Sequence, residues 1–182
     1  MDVEVNDWIR GEGGTAVIDF EAHKEVVVDA SPEVVFGYVS DLANHDRFSG
    51  SGEVLKIRKL TKGETHVGSM IEADEHIELG DQVLDFAAKS VVVGYEPNHA
   101  ISWMPVPPMP IRRIQWWFTV EPEGTGTKVI HECEVDLGDE VREMFGGTKG
   151  YRASRGKDVA RGMDQTVANL KELCEAATNV KA

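Results

Sequence analysis

Three groups of side chains have types and spacings that suit chemistry. His131 lies in a run where Val129, His131, Cys133 and Val135 share one face of an alternating strand. A histidine on that face orients a phenol or carbonyl, or shuttles a proton near neutral pH. The competing reading is a core-edge histidine satisfied by a neighbour. Asp74 and His76 stand two residues apart on one face of another strand, with Glu72 beside them. Such a row serves as an acid/base pair or a weak metal site, or else as a solvated strand face. Arg112 and Arg113 stand where a proline-rich segment re-enters the sheet. An inward arginine there would fix a carboxylate or enolate oxygen at a cavity mouth; an outward one covers an acidic surface. His131, Asp74, His76 and Arg112 are the candidate catalytic residues.

Other motifs narrow the chemistry. The Gly124-Thr125-Gly126 element falls in a hairpin turn rather than between a strand and a helix, which argues against a dinucleotide site. No zinc-protease motif or calcium loop occurs, so neither a cofactor nor a metal is expected. The two cysteines, Cys133 and Cys174, are too few for a disulfide framework and read as reduced packing residues. Aromatic side chains cluster instead. Trp103, Trp116 and Trp117 lie on adjacent elements, with Trp116 in phase with Phe118 and Val120. An aromatic wall suits flat or greasy ligands. Tyr38, Phe86, Trp103, Trp116, Phe118, Met144 and Met163 are the expected lining of such a cavity, although a tryptophan row also serves as ordinary core.

The elements that must position these groups follow from periodicity. Val17 to Val28 reads as a strand in which Phe20, Ala22, Val26 and Val28 alternate with polar positions, with an irregularity near His23 and Lys24. Ser31-Pro32-Glu33 starts a helix by capping, preset φ and favourable charge, and Val34, Val35, Tyr38 and Val39 form its stripe. A short helix or turn follows over Leu42–Phe48. Strands are expected at Val54–Leu60, Gly68–Ile77, Val83–Val93, Ala100–Met104, Arg112–Val120 and Thr127–Asp136. In the second of these, Ile71, Ala73, Glu75 and Ile77 form the packed row, opposite the row of Met70, Glu72, Asp74 and His76. Four prolines in the seven residues Met104–Pro110 exclude a central ladder and demand a loop, either a lid or contact surface or a stiff connector. From Tyr151 to about Ala177 a long helix carries Val159, Met163, Val167, Leu170 and Cys174 or Leu173 on one stripe. Gly156 and Gly162 weaken it and permit close approach to the sheet.

Composition sets the outer bounds. The 182 residues suffice for one domain, expected over 16–178, with a flexible extension over 1–15. A formal net charge of −13 repels phosphate backbones and anionic membranes, so nucleic acid is not an expected partner. No apolar run is long enough to insert in a bilayer, and the acidic start lacks a secretory pattern; a cytoplasmic location is expected. Trp117 and the proline-rich loop offer a surface for a homodimer.

A lone helix of this length must bury its stripe against the sheet, and the sheet must curve around it. The expected fold is therefore α+β: a helix-grip fold in which a strongly curved antiparallel sheet of about seven strands surrounds a long C-terminal helix, with two short helices after the first strand. Particular segments carry a family resemblance. These are Val28–Phe36, Val39–Leu42, Gly68–Met70, Val93–His99, and Phe118–Pro122 ahead of Gly126–Val129. Over roughly residues 20–175 their order resembles the START/Bet v 1-like (SRPBCC) superfamily, in its polyketide cyclase/dehydrase and lipid-transport branch. That resemblance implies a deep hydrophobic cavity for lipids, polyketides or aromatic compounds. Some members are aromatase/cyclases and others carriers. The matched segments carry fold rather than chemistry. Oxygenase relatives hold iron on a histidine pair and a carboxylate, a motif not matched here. Binding or transport of a small hydrophobic or aromatic ligand is the expected function. The alternative is a cyclase, aromatase or dehydratase using His131, or Asp74 with His76, as acid/base.

Overall fold

Strict alternation shapes the first strand. In β1 (Phe20–Val28) the odd-numbered positions from Glu21 to Val27 are exposed, and Phe20, Ala22, Lys24, Val26 and Val28 turn inward. The irregularity expected at His23 and Lys24 is absent. Lys24 keeps the inward phase because its long stem reaches Asp164 on the C-terminal helix, Nζ to Oδ2 2.7 Å. The computed structural model describes residues 17–79, 81–108 and 110–179, so the expected 1–15 extension lies outside the described residues.

Helix α1 (Pro32–Val39) has Pro32 in its first turn and buries Val35, Phe36 and Val39. Ser31 occupies the N-cap position, but its hydroxyl makes no capping bond. A 3-10 helix, Leu42–Arg47, follows, capped by Asp41, whose side chain accepts from the Ala43 N–H at 3.2 Å. Six strands then run as a meander: β2 (Val54–Lys59), β3 (Met70–Leu79), β4 (Gln82–Glu96), β5 (Ala100–Pro105), β6 (Arg113–Glu123) and β7 (Gly126–Asp136). The sheet order is β1-β7-β6-β5-β4-β3-β2, antiparallel throughout, so the first strand closes onto the last. Register shifts in β2 at Val54/Lys56 and in β4 at Val92/Gly94 interrupt the ladder, as bulges do where a sheet bends.

The long C-terminal helix is divided. After α2 (Gly138–Met144), α3 (Thr148–Ala153) precedes α4 (Arg155–Asn179). The expected single helix from Tyr151 breaks at Ser154, whose φ of −118° and ψ of −97° leave the helical region. The expected stripe on α4 holds: Val159, Met163, Val167, Leu170 and Cys174 are all buried. Both helix glycines sit at contacts a side chain would obstruct. A Cβ on Gly156 would stand 2.9 Å from the Phe20 ring, and one on Gly162 would stand 3.0 Å from Ser51 Cα. The packed sheet and α4 together make the helix-grip fold. No helix among the described residues is long and apolar enough to cross a membrane.

The core forms two clusters. One surrounds Phe36, Leu42, Phe48, Phe118 and Leu170, near α1. The other surrounds Phe20, Val135, Tyr151, Val159 and Met163, beneath the break between α3 and α4. The space where they meet is incompletely filled.

Candidate functional site: a cavity between sheet and helix

That space is a cavity of about 220 Å³, with walls from strands β2 to β7, α4, and the 3-10 helix and loop before β2. One end is aromatic. Trp103, Phe118 and His131, from three successive strands of the sheet, form a compact cluster of near-parallel rings, with the Trp103 and His131 centroids 6.4 Å apart at 14°. The Phe118 and His131 centroids are 4.1 Å apart at 14°, and those of Trp103 and Phe118 are 5.8 Å apart at 25°. Trp116 also stacks with His131, centroids 5.7 Å apart at 25°. His45, from the 3-10 helix, meets this cluster edge-on, 5.0 Å from Trp103 and 5.6 Å from Phe118.

The other end is polar. Glu53, just before β2, and Arg155, the first residue of α4, form a bidentate ion pair; the Nη2–Oε2 bond measures 2.7 Å. Glu75 projects into the cavity from β3, and its carboxyl has no hydrogen-bond partner among the described residues. Burial, reinforced by repulsion from the Glu53 carboxylate and opposed by Arg155, pushes the Glu75 carboxyl up to about 7.

The two histidines are perturbed in the opposite sense. Burial lowers His131 to about 4, against the opposing hydrogen bond to the Trp117 carbonyl. Burial likewise lowers His45 to about 4, against its bond to the Val39 carbonyl. Both are neutral at physiological pH.

The residues singled out in the sequence divide between this cavity and the surface. Trp103, Trp116, Phe118, His131 and Met163 stand in its wall. Three expected lining residues do not. Tyr38 packs against the α1 cluster, with the Arg47 guanidinium 5.7 Å from its ring centroid. Phe86 lies opposite Glu75 in the β3–β4 register, yet outside the wall. Met144, the last residue of α2, is 73% exposed, while Gly138 and Val141 are the residues that helix buries.

Asp74 and His76 occupy the outer face of β3, and cross-strand ion pairs hold them there. Arg58 on β2 binds Asp74 at 2.6 Å, and Asp85 on β4 binds His76 at 2.6 Å. They do not face the cavity, and their alternation partners Ala73, Glu75 and Ile77 do. Arg112 is half-exposed and pairs with Asp136 at 3.3 Å, while Ile111 and Ile114 on either side line the cavity. Among the described residues no group of three or more metal-ligating side chains is assembled. Cys133 and Cys174 are buried free thiols, each pushed up to about 12 by burial.

Sequence reasoning missed four ionisable wall residues: His45, Glu53, Glu75 and Arg155. The signal for Glu75 was present, since an acid falls in the packed row of β3. Glu53 and Arg155 lie far apart in the chain, and nothing local marks them as a pair. His45 sits in a polar run whose 3-10 geometry tucks it inward.

Comparisons agree with this architecture. By fold the chain is similar to TTHA0849 from Thermus thermophilus, at 16% identity and a TM-score of 0.62, covering 87% of this chain and 99% of that one. It is similar to the di-domain ARO/CYC BexL from the BE-7585A biosynthetic pathway, at 18% identity and a TM-score of 0.67 over 86% of this chain, and it spans only 50% of that protein. The major latex-like protein 151 of Panax ginseng shares the fold at 8% identity and a TM-score of 0.60, with 84% of this chain and 95% of that chain covered. A search of curated proteins finds no sequence match. The family described as polyketide cyclase / dehydrase and lipid transport matches residues 19–175. The chain belongs to that polyketide cyclase / dehydrase and lipid transport family.

Proposed function

We propose that the protein binds a small hydrophobic, preferably aromatic, molecule in the cavity between sheet and α4. The observation that carries this reading is the cavity itself: about 220 Å³, with a stacked aromatic wall at one end and a few polar groups at the other. Ligand sites have this character, mostly apolar with few placed polar groups. The volume exceeds the roughly 150 Å³ that accommodates benzene and falls below the roughly 300 Å³ where drug-sized sites begin. A ligand of one or two rings matches it. The test is native mass spectrometry of protein purified from its own source. A bound mass released on denaturation, and identified as a small apolar or aromatic compound, supports the reading. An empty protein that also fails to bind one- and two-ring aromatics saturably overturns it.

A second reading, a cyclase or dehydratase, rests on Glu75. A carboxyl near 7 is matched to proton transfer at neutral pH, whereas His131 near 4 is a weak base. Asp74 and His76 point away from the cavity and are set aside for this role. Glu75 would take a proton from an activated carbon or give one to a departing hydroxyl. Turnover lost in Glu75→Gln with ligand binding retained supports catalysis; unchanged turnover removes Glu75 from it.

A further inference from the structure

The two cavity histidines have their protons fixed by the backbone. His131 Nδ1 is 2.9 Å from the Trp117 carbonyl oxygen, and His45 Nε2 is 2.8 Å from the Val39 carbonyl oxygen. A carbonyl oxygen only accepts, so the nitrogen facing it carries the hydrogen in each ring. Both rings are enclosed by aromatic neighbours, His131 at 4% exposure and His45 at 9%, and neither makes an ion pair with a carboxylate. A neutral imidazole with one protonated nitrogen presents a bare lone pair on the other. These are Nε2 of His131 and Nδ1 of His45.

Neither lone pair has a hydrogen-bond partner among the described residues. No sealed side-chain polar atom in those residues is orphaned either, so each of these nitrogens keeps some accessible surface, and both residues line the cavity. The two residues come from opposite layers, β7 and the 3-10 helix, yet both pack on Phe118 and Trp103. A ring lying in this end of the cavity meets hydrogen-bond acceptors at its edge.

Taking the cavity as a ligand site, as argued above, we infer that it selects ligands bearing a hydrogen-bond donor, a phenolic hydroxyl above all, placed to donate to His131 Nε2 or His45 Nδ1. A ring with only acceptor or apolar substituents leaves both imidazole lone pairs without water and without a partner. Sites built to bind a hydroxyl discriminate strongly against the analogue lacking it, because their own polar groups are then stranded.

The test is calorimetric titration of the full chain with 2-naphthol, 2-fluoronaphthalene and 2-methoxynaphthalene. The three share a ring system, and only the first is a donor. We expect 2-naphthol to bind about 10- to 100-fold more tightly than either analogue, and His131→Phe with His45→Phe to erase most of that preference. Equal or weaker binding of 2-naphthol overturns the donor requirement while leaving the cavity as a ligand site. Failure of all three to saturate overturns the ligand site, and the inference with it. Imidazole ¹⁵N chemical shifts of the unmodified protein give a check independent of any variant. His131 is expected as the Nδ1–H tautomer and His45 as the Nε2–H tautomer; the reverse tautomer, or an imidazolium at pH 7, in either ring overturns the inference.

Discussion

Replacing Glu75 with glutamine removes one ionisable group from the cavity and little else. In the folded chain the carboxyl is displaced from 4.5 to about 7, first by burial and then by Glu53. At 1.36 kcal/mol per pH unit, that displacement corresponds to about 3 kcal/mol. The sign follows from proton counting. Between about pH 4.5 and 7 the unfolded chain has lost this proton and the folded chain keeps it. The associated stability is complete below pH 4.5 and is lost as pH rises through 7. Glu75→Gln is neutral throughout and escapes the loss. Urea unfolding of both proteins from pH 4.5 to 8.5 measures the difference. The two should be about equally stable at pH 4.5, with the variant ahead by about 2–3 kcal/mol at pH 8.5. A difference independent of pH, or a variant less stable at pH 8.5, would refute the reasoning. The first result would mean that folding leaves the Glu75 carboxyl unperturbed; the second would mean that Arg155 pairs with Glu75 rather than being committed to Glu53.

Three further perturbations probe the frame around the cavity. His131 carries the opposite linkage: its folded value of about 4 lies below the ordinary 6.5, so its contribution is present above pH 6.5 and lost as pH falls towards 4. His131→Gln should flatten the acid side of the stability curve by about 1.4 kcal/mol per pH unit in that window; denaturation curves of the two proteins that run parallel would contradict this. Asp19→Asn should destabilise by about 2–4 kcal/mol in urea unfolding at pH 7. The buried Asp19 carboxylate accepts from Leu137 N–H at 3.0 Å and from Arg142 Nε and Nη2 at 2.8 Å each, tying the start of β1 to β7 and α2. The Arg142 guanidinium holds this carboxyl well below the usual range, so the contribution persists from about pH 4 upward. Gly50→Ala would set a Cβ 2.4 Å from the Thr166 backbone nitrogen and should cost about 2 kcal/mol, read as a lowered midpoint in thermal melting.

What the sequence reveals and what it hides divide along the range of the interactions. Alternation in β6 and β7 is a local property, and it places Trp116, Phe118 and His131 inward without knowledge of any partner strand. The α4 stripe is legible for the same reason. Asp74 and His76 show the limit. Their shared face was readable, but what occupies it depends on Arg58 and Asp85 from two neighbouring strands. The break at Ser154 is a backbone event with no apolar signature, and it brings Arg155 to the cavity opposite Glu53. His45 lies among polar residues, so only the 3-10 geometry after Asp41 reveals that it is buried.

The methionines allow a direct test that the space between sheet and α4 is the ligand site. Met163 is buried in the cavity wall, and Met144 is exposed at the end of α2. With ¹³C-methyl methionine and a saturating two-ring aromatic, ring currents should move the Met163 methyl resonance while Met144 stays in place. A shift at Met144 with Met163 unmoved, or saturation with neither resonance displaced, would contradict the cavity as the site of binding.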